Sequence, residues 1–172
     1  MKYILYFNEI NKEKQSLAGG KGVNLGELFN NKFIVPEGFC VTTEAYDLLV
    51  ENEALKEMME NLNTLDYKNT ELITEAGKNI RNIITEAEVS EAVKIAVYGA
   101  WNNLGANYSY AVRSSGTAED LKEISFAGQQ DTFLNIRGYE NIVEAVQKCW
   151  ASLFSDRAII YINKNGFYNT KV

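Results

Sequence analysis

Ala111-Val-Arg-Ser-Ser-Gly-Thr-Ala-Glu-Asp120, followed by Ser125-Phe-Ala-Gly-Gln-Gln-Asp-Thr132, decides how this chain is read. The residues just before and inside it, Tyr108 to Val112, are short, apolar and aromatic, which predicts a strand. A single cation, Arg113, stands at the strand's end. Ser114, Ser115, Gly116 and Thr117 follow at once and bring hydroxyls and exposed backbone N–H groups, the donors that phosphate oxygens require. Ser125 to Gln130 is a second small-residue turn, and Thr132 to Ile136 resumes a strand. Two strands joined through two polar turns suit a loop that closes over a nucleotide's phosphates.

An earlier segment complements it. Gly19-Gly-Lys-Gly22 precedes Leu25, Leu28 and Phe29, whose i, i+3, i+4 spacing is helical. Glycines and a lysine at a helix start favour an anion, because N–H groups and helix dipole both attract negative charge. The spacing is not that of a P-loop, so this piece alone is weak.

Elsewhere the chain alternates short strands with helices. Tyr3 to Phe7 predicts a strand, Gly22 to Asn30 a helix, Val35 to Phe39 a turn at the one proline, and Phe39 to Val41 a second strand. Thr42 or Thr43 is placed to cap the next helix. Residues 51 to 104 read as mostly helical, with apolar stripes at Leu72, Ile73, Ala76, Ile80, Ile83 and Ile84, then at Val89, Ala92, Val93, Ala96, Val97, Ala100, Trp101 and Leu104. A third stripe runs from Ile142 to Phe154, and Ser155-Asp156 is placed to cap a last helix. Such stripes are core rather than ligand groove.

Composition bounds the function. Among 172 residues, 46% are hydrophobic and 23% charged, which is ordinary for one domain or two small lobes. The net charge of −6 argues against a general nucleic-acid or anionic-membrane surface, so a phosphate site must be a local cationic pocket. With no histidine, neither a phosphohistidine nor a Ser–His or Cys–His pair can form on this chain. Two cysteines, Cys40 and Cys149, cannot make a four-thiolate zinc site and read as buried, reduced thiols. No signal pattern or 18-residue apolar run is present, so a cytoplasmic location is expected.

Taken together, Gly19 to Glu27, Val35 to Phe39, Thr42 to Tyr46, Ala111 to Ser115, Thr117 to Asp120, Ser125 to Gln129 and Cys149 to Phe154 resemble, in order and nearly end to end, the N-terminal nucleotide-binding region of the dikinase family. That family comprises phosphoenolpyruvate synthase, pyruvate phosphate dikinase and rifampin phosphotransferase. Asn24, Phe39-Cys-Val-Thr-Thr43 and Arg157 to Tyr161 look closer to the rifampin branch. Gly116 departs from the family's usual alanine, a small-for-small change.

The resemblance implies an α+β fold: a partial ATP-grasp of nucleotide-facing antiparallel strands with an inserted helical lobe. Residues 1–172 would be the N-terminal part of that domain, truncated, with a helical lobe at about 43–104 and a phosphate-binding strand-loop region at about 108–136. Lys21 and Arg113 would contact ATP phosphates together with Ser114. Gly128, Gln129 and Thr132 would belong to the loop covering them. The adenine-binding segment, the residues that bind Mg2+ and the phosphohistidine domain are expected to be missing after Val172. The implied activity moves the β-phosphoryl of ATP through a histidine on another domain to pyruvate or a rifamycin. The isolated chain is expected to be inactive.

Three readings stay open from residues alone. They are part of such a phosphotransferase, a stand-alone nucleotide- or partner-binding module, and a complete small kinase, the last disfavoured by the lack of clustered carboxylates. Arg113 could equally pair with Glu119 or Asp120, and Trp150 reads as a core anchor.

Overall fold

The computed structural model describes residues 1–117 and 131–167. The chain begins with a short strand, β1 (Ile4–Tyr6), two single 3-10 turns, and helix α1 (Gln15–Asn30). Strand β2 (Phe39–Val41) follows, then helices α2 (Thr43–Val50), α3 (Glu53–Leu62), α4 (Thr70–Glu86) and α5 (Glu91–Leu104). Strands β3 (Tyr110–Arg113) and β4 (Thr132–Ile136) precede α6 (Tyr139–Ser152) and α7 (Asp156–Lys164). The described fold is therefore α+β: helices with two small antiparallel sheets, β1–β2 and β3–β4.

The helices form where the apolar stripes predict them, because each stripe can bury only against another element. Ile73, Ile80 and Ile84 of α4 meet Leu55, Met59 and Leu62 of α3, with Phe154 and Ile159 completing a first core. Fully burying an isoleucine or leucine contributes ~1.5–3 kcal/mol, so this cluster anchors the helical half. A second core joins Ile4, Ala45, Val93, Val97, Ala100 and Ile142, tying β1 and α2 to α5 and α6. A third, smaller one sets Leu5 and Ile10 against Ala18 and Val23 of α1.

Several expectations are corrected. Leu72, 48% exposed, and Ala92 leave their stripes for the surface, since each lies at the margin of the buried arc. Helix α1 starts at Gln15 rather than near Gly22, and Gly19, at φ 66° and ψ 173°, breaks it within. Its buried face is Ala18, the glycines and Val23, not Leu25, Leu28 and Phe29: Leu28 is exposed and the other two are half-buried. Glycine lets backbone approach backbone, which a leucine face would prevent. Strand β3 begins at Tyr110, two residues later than the aromatic run predicts. Thr42 stands at the cap position of α2, yet its hydroxyl donates to the carbonyl of Lys2 instead of serving the helix.

In the β3–β4 sheet, Val112 opposes Phe133, Arg113 opposes Thr132, and Tyr110 opposes Ile136. Leu134 and Asn135 therefore face Ala111 alone. This bulge puts Asn135 at φ 59°, a conformation asparagine tolerates better than most residues.

Candidate functional site

Gly19 is where the two sequence motifs meet. Its backbone conformation belongs to a region left essentially to glycine. A Cβ built there would lie 2.2 Å from the carbonyl oxygen of Ser115, so the chain segments touch backbone to backbone. The helix restarts at Gly20, and its first donors are taken up at once. Gly20 N–H donates to the carbonyl of Gly116 at 3.1 Å, and Gly22 N–H donates to Ser115 Oγ at 2.9 Å. Gly22 also gives room to Cys40, whose sulfur would sit 2.8 Å from an added Cβ. The glycine segment is thus a seat for Ser115-Gly116, and through it for the end of β3.

This seating corrects one step of the sequence reading. The amides of Gly20 and Gly22 were expected to face an anion, but each already has a protein acceptor. What the glycine segment contributes to the adjoining space is the Lys21 side chain.

That space is a cleft of about 870 Å³. One wall is α1 with Leu17 and Lys21, a second is the stretch from Pro36 to Thr43, and a third is β3 running on to Thr117. Helix α6 closes the floor with Val146, Cys149 and Trp150. Lys21, Arg113 and Ser114 all line it, although Lys21 and Arg113 are 92 positions apart (113 − 21). Among the described lining residues the charged groups are Lys21, Arg113 and Glu37. Among the described lining residues cations thus outnumber anions two to one, on a chain of net charge −6.

Arg113 is exposed at the end of β3, and Lys21 is half-buried. Thr132 is the register partner of Arg113 and is exposed, but it does not line the cleft. Gly128 and Gln129, and likewise Glu119 and Asp120, lie outside the described residues.

The sequence reading missed the aromatic floor. Tyr46 and Trp150 both line the cleft, with ring centroids 5.9 Å apart and planes tilted by 56°. Trp150 is a core anchor and a wall residue at once. Burial, with Asp47 nearby, pushes the Tyr46 phenol up from its usual range. Burial also pushes the Cys40 thiol up to about 11, and burial followed by the charge of Asp131 pushes Cys149 up to about 12. Both thiols are free and protonated near neutrality, so neither supplies a thiolate nucleophile to the cleft. Among the described residues, no group of three or more acidic or cysteine side chains converges as a metal site. No helix among them is long and apolar enough to cross a membrane. The arrangement is suited to holding an anion, with a forked donor in Arg113 and a point charge in Lys21.

The described site thus joins a strand end carrying arginine, serines and glycine to a glycine-lysine helix start. The sequence profile of the pyruvate phosphate dikinase AMP/ATP-binding domain matches residues 15–172. Among curated relatives, the rifampicin phosphotransferase of Bacillus cereus is 48% identical over 172 residues, covering 99% of this chain and 20% of that protein. The rifampicin phosphotransferase of Bacillus subtilis is 47% identical, covering 98% and 20%. The probable phosphoenolpyruvate synthase of Methanocaldococcus jannaschii is 46% identical, covering 100% and 15%. The chain belongs to the pyruvate phosphate dikinase AMP/ATP-binding domain family, and it spans about a fifth or less of the length of these three relatives.

Proposed function

We propose that this chain is the ATP-binding N-terminal part of a dikinase-type phosphotransferase, a partial ATP-grasp. In this reading the β-phosphoryl of ATP passes through a histidine on another domain to pyruvate or a rifamycin-like acceptor. The observation that carries the proposal is the convergence of Lys21, Arg113 and Ser114 on one cleft, in a chain that belongs to an AMP/ATP-binding domain family.

Phosphoryl transfer spreads negative charge over the phosphoryl oxygens, and a protein contributes mainly positioning and electrostatic stabilisation. Arg113 grips two phosphate oxygens at once, and Lys21 neutralises charge from the opposite wall. Ser114 offers a hydroxyl beside Arg113, and Thr132, Gly128 and Gln129 are assigned to the covering side. The side chain that carries the phosphoryl group must come from elsewhere, since the chain has no histidine. Mg2+ is assigned to ligands other than the described residues.

Isothermal titration with pyrophosphate and with ATP tests this. Losing a charge-assisted contact costs about 1.5–3 kcal/mol. Lys21→Ala and Arg113→Ala should therefore each weaken binding roughly tenfold or more, with melting unchanged. Arg113→Lys should recover only part, because the fork is lost. Parental affinity in both alanine variants would refute the assignment.

A further inference from the structure

Strands β3 and β4 pair although residues 114 to 131 separate them in sequence. In an ordinary hairpin a short turn fixes the register, and a slip of one residue moves every side chain to the opposite face. Here the connection runs through residues 114 to 131, and the strands hold only four and five residues. The pairing also contains a bulge. Among the described residues, anchors stand at the ends of both strands.

The end of β3 is anchored by Ser115 and Gly116 on the glycine segment. The start of β4 has a different anchor. Asp131 accepts from Arg157 Nη2 at 2.9 Å, and its own N–H donates to Ser152 Oγ at 3.4 Å. Ser152 is one of two buried polar residues among those described, and its hydroxyl donates to the carbonyl of Cys149 at 2.7 Å. Arg157 stands on a fixed base. Its neighbour Asp156 accepts from Arg81 at 3.2 Å and from Thr74 Oγ1 at 2.6 Å, which ties the start of α7 to α4.

We propose that Arg157 is a positioning residue: through Asp131 it pins the register of β4 against β3, and so sets where Arg113 stands in the cleft. The first half of this rests on geometry alone, and the second rests on the cleft binding an anion. Thr132, directly after Asp131, is the register partner of Arg113, so the pin acts one residue away from the pair. Asp131 and Arg157 are each about half exposed (52% and 53%), so the pair adds little to overall stability. Its effect falls on which register is populated.

The test uses the 172-residue chain with Arg157→Gln, Asp131→Asn and the double exchange Asp131→Arg with Arg157→Asp. Amide hydrogen exchange by NMR reads the pin without any ligand. Each single variant should speed exchange at Val112 and Phe133 roughly two- to fivefold, leaving α4 and α6 unchanged, and the double exchange should restore most of the protection. Unchanged exchange in both single variants overturns the pin. Titration with pyrophosphate reads the second half. Affinity in the single variants should fall by a similar factor, since a less populated competent state lowers apparent affinity in proportion. The salt dependence of binding should stay as in the parent. Faster exchange with unaltered affinity overturns the link to Arg113. Loss of salt dependence with no rescue by the double exchange overturns it too, because Arg157 would then touch the anion itself. A parent chain that binds no pyrophosphate counts against the anion cleft, and the exchange data still decide the pin.

Discussion

Replacing Gly19 by alanine tests whether the glycine segment is a seat for the end of β3. The backbone there has φ 66° and ψ 173°, and a non-glycine residue held in such a region costs about 1–3 kcal/mol. The new methyl would also stand 2.2 Å from the Ser115 carbonyl oxygen and 2.6 Å from its carbon. Both are backbone atoms, so no rotamer change relieves the clash, and such overpacking costs about 1–3 kcal/mol. Retreat of Ser115-Gly116 is the alternative. It breaks the Gly20–Gly116 and Gly22–Ser115 bonds, each contributing about 0.5–1.5 kcal/mol. The chain takes the cheapest combination, so the expected loss is about 2–5 kcal/mol, a large part of the ~5–15 kcal/mol that holds a typical domain folded. Urea denaturation followed by circular dichroism measures it, and Gly22→Ala is the control. Gly22 sits in regular helix, where alanine gains up to about 1 kcal/mol of propensity against its contacts with Cys40 and Ala18. The control should therefore be clearly milder. If Gly19→Ala unfolds within ~0.5 kcal/mol of the parent, or no worse than Gly22→Ala, the seat does not exist as described.

Three further outcomes are expected. Ile80→Ala, at a fully buried position of α4, should cost about 2–5 kcal/mol in denaturation while pyrophosphate affinity of the folded protein stays as in the parent. Cys40 holds its proton to about pH 11 and Cys149 to about 12, whereas an unfolded chain begins to release both near pH 8.5. Folding therefore keeps this contribution fully below ~8.5 and loses it as pH rises through the folded values, so the urea midpoint should fall from about pH 9 upward. A midpoint flat to pH 11 would show that the thiols are not held protonated by the fold. At pH 8 both thiols should react with a disulfide reagent about two orders of magnitude more slowly than free cysteine; Cys149 is buried as expected and Cys40 only half-buried, and rates near that of free cysteine would contradict this.

Much of the layout is legible in the sequence because helix stripes and strand punctuation are local signals. The stripe of α4 through Ile73, Ile80 and Ile84 is core where its period places it. The motif set from Gly19 to Phe154 also points to the family to which the chain belongs. What escaped is long-range. Nothing near Gly22 indicates that its amide meets Ser115, 93 residues away. The glycines read as anion donors because free helix-start amides are the usual partners of phosphate, and only the tertiary packing shows that Ser115 and Gly116 occupy them. Leu28 and Phe29 read as a buried face because period is blind to which face a neighbour covers. Tyr46 lies inside the Thr42 to Tyr46 motif, yet its partnership with Trp150 depends on α2 and α6 meeting across the cleft. Thr42 had the right position, yet its hydroxyl accepts from no helix N–H and donates to the Lys2 carbonyl.

The central claim is that the cleft between the glycine segment and the end of β3 receives the phosphates of a nucleotide. Amide and arginine side-chain NMR of the chain, titrated with ATP and with pyrophosphate, tests it most directly. Saturable shifts are expected at Gly20 to Gly22, at Arg113 to Thr117 and at the Arg113 guanidinium, common to both ligands. Shifts that saturate at another surface, or none up to millimolar ligand, would contradict it.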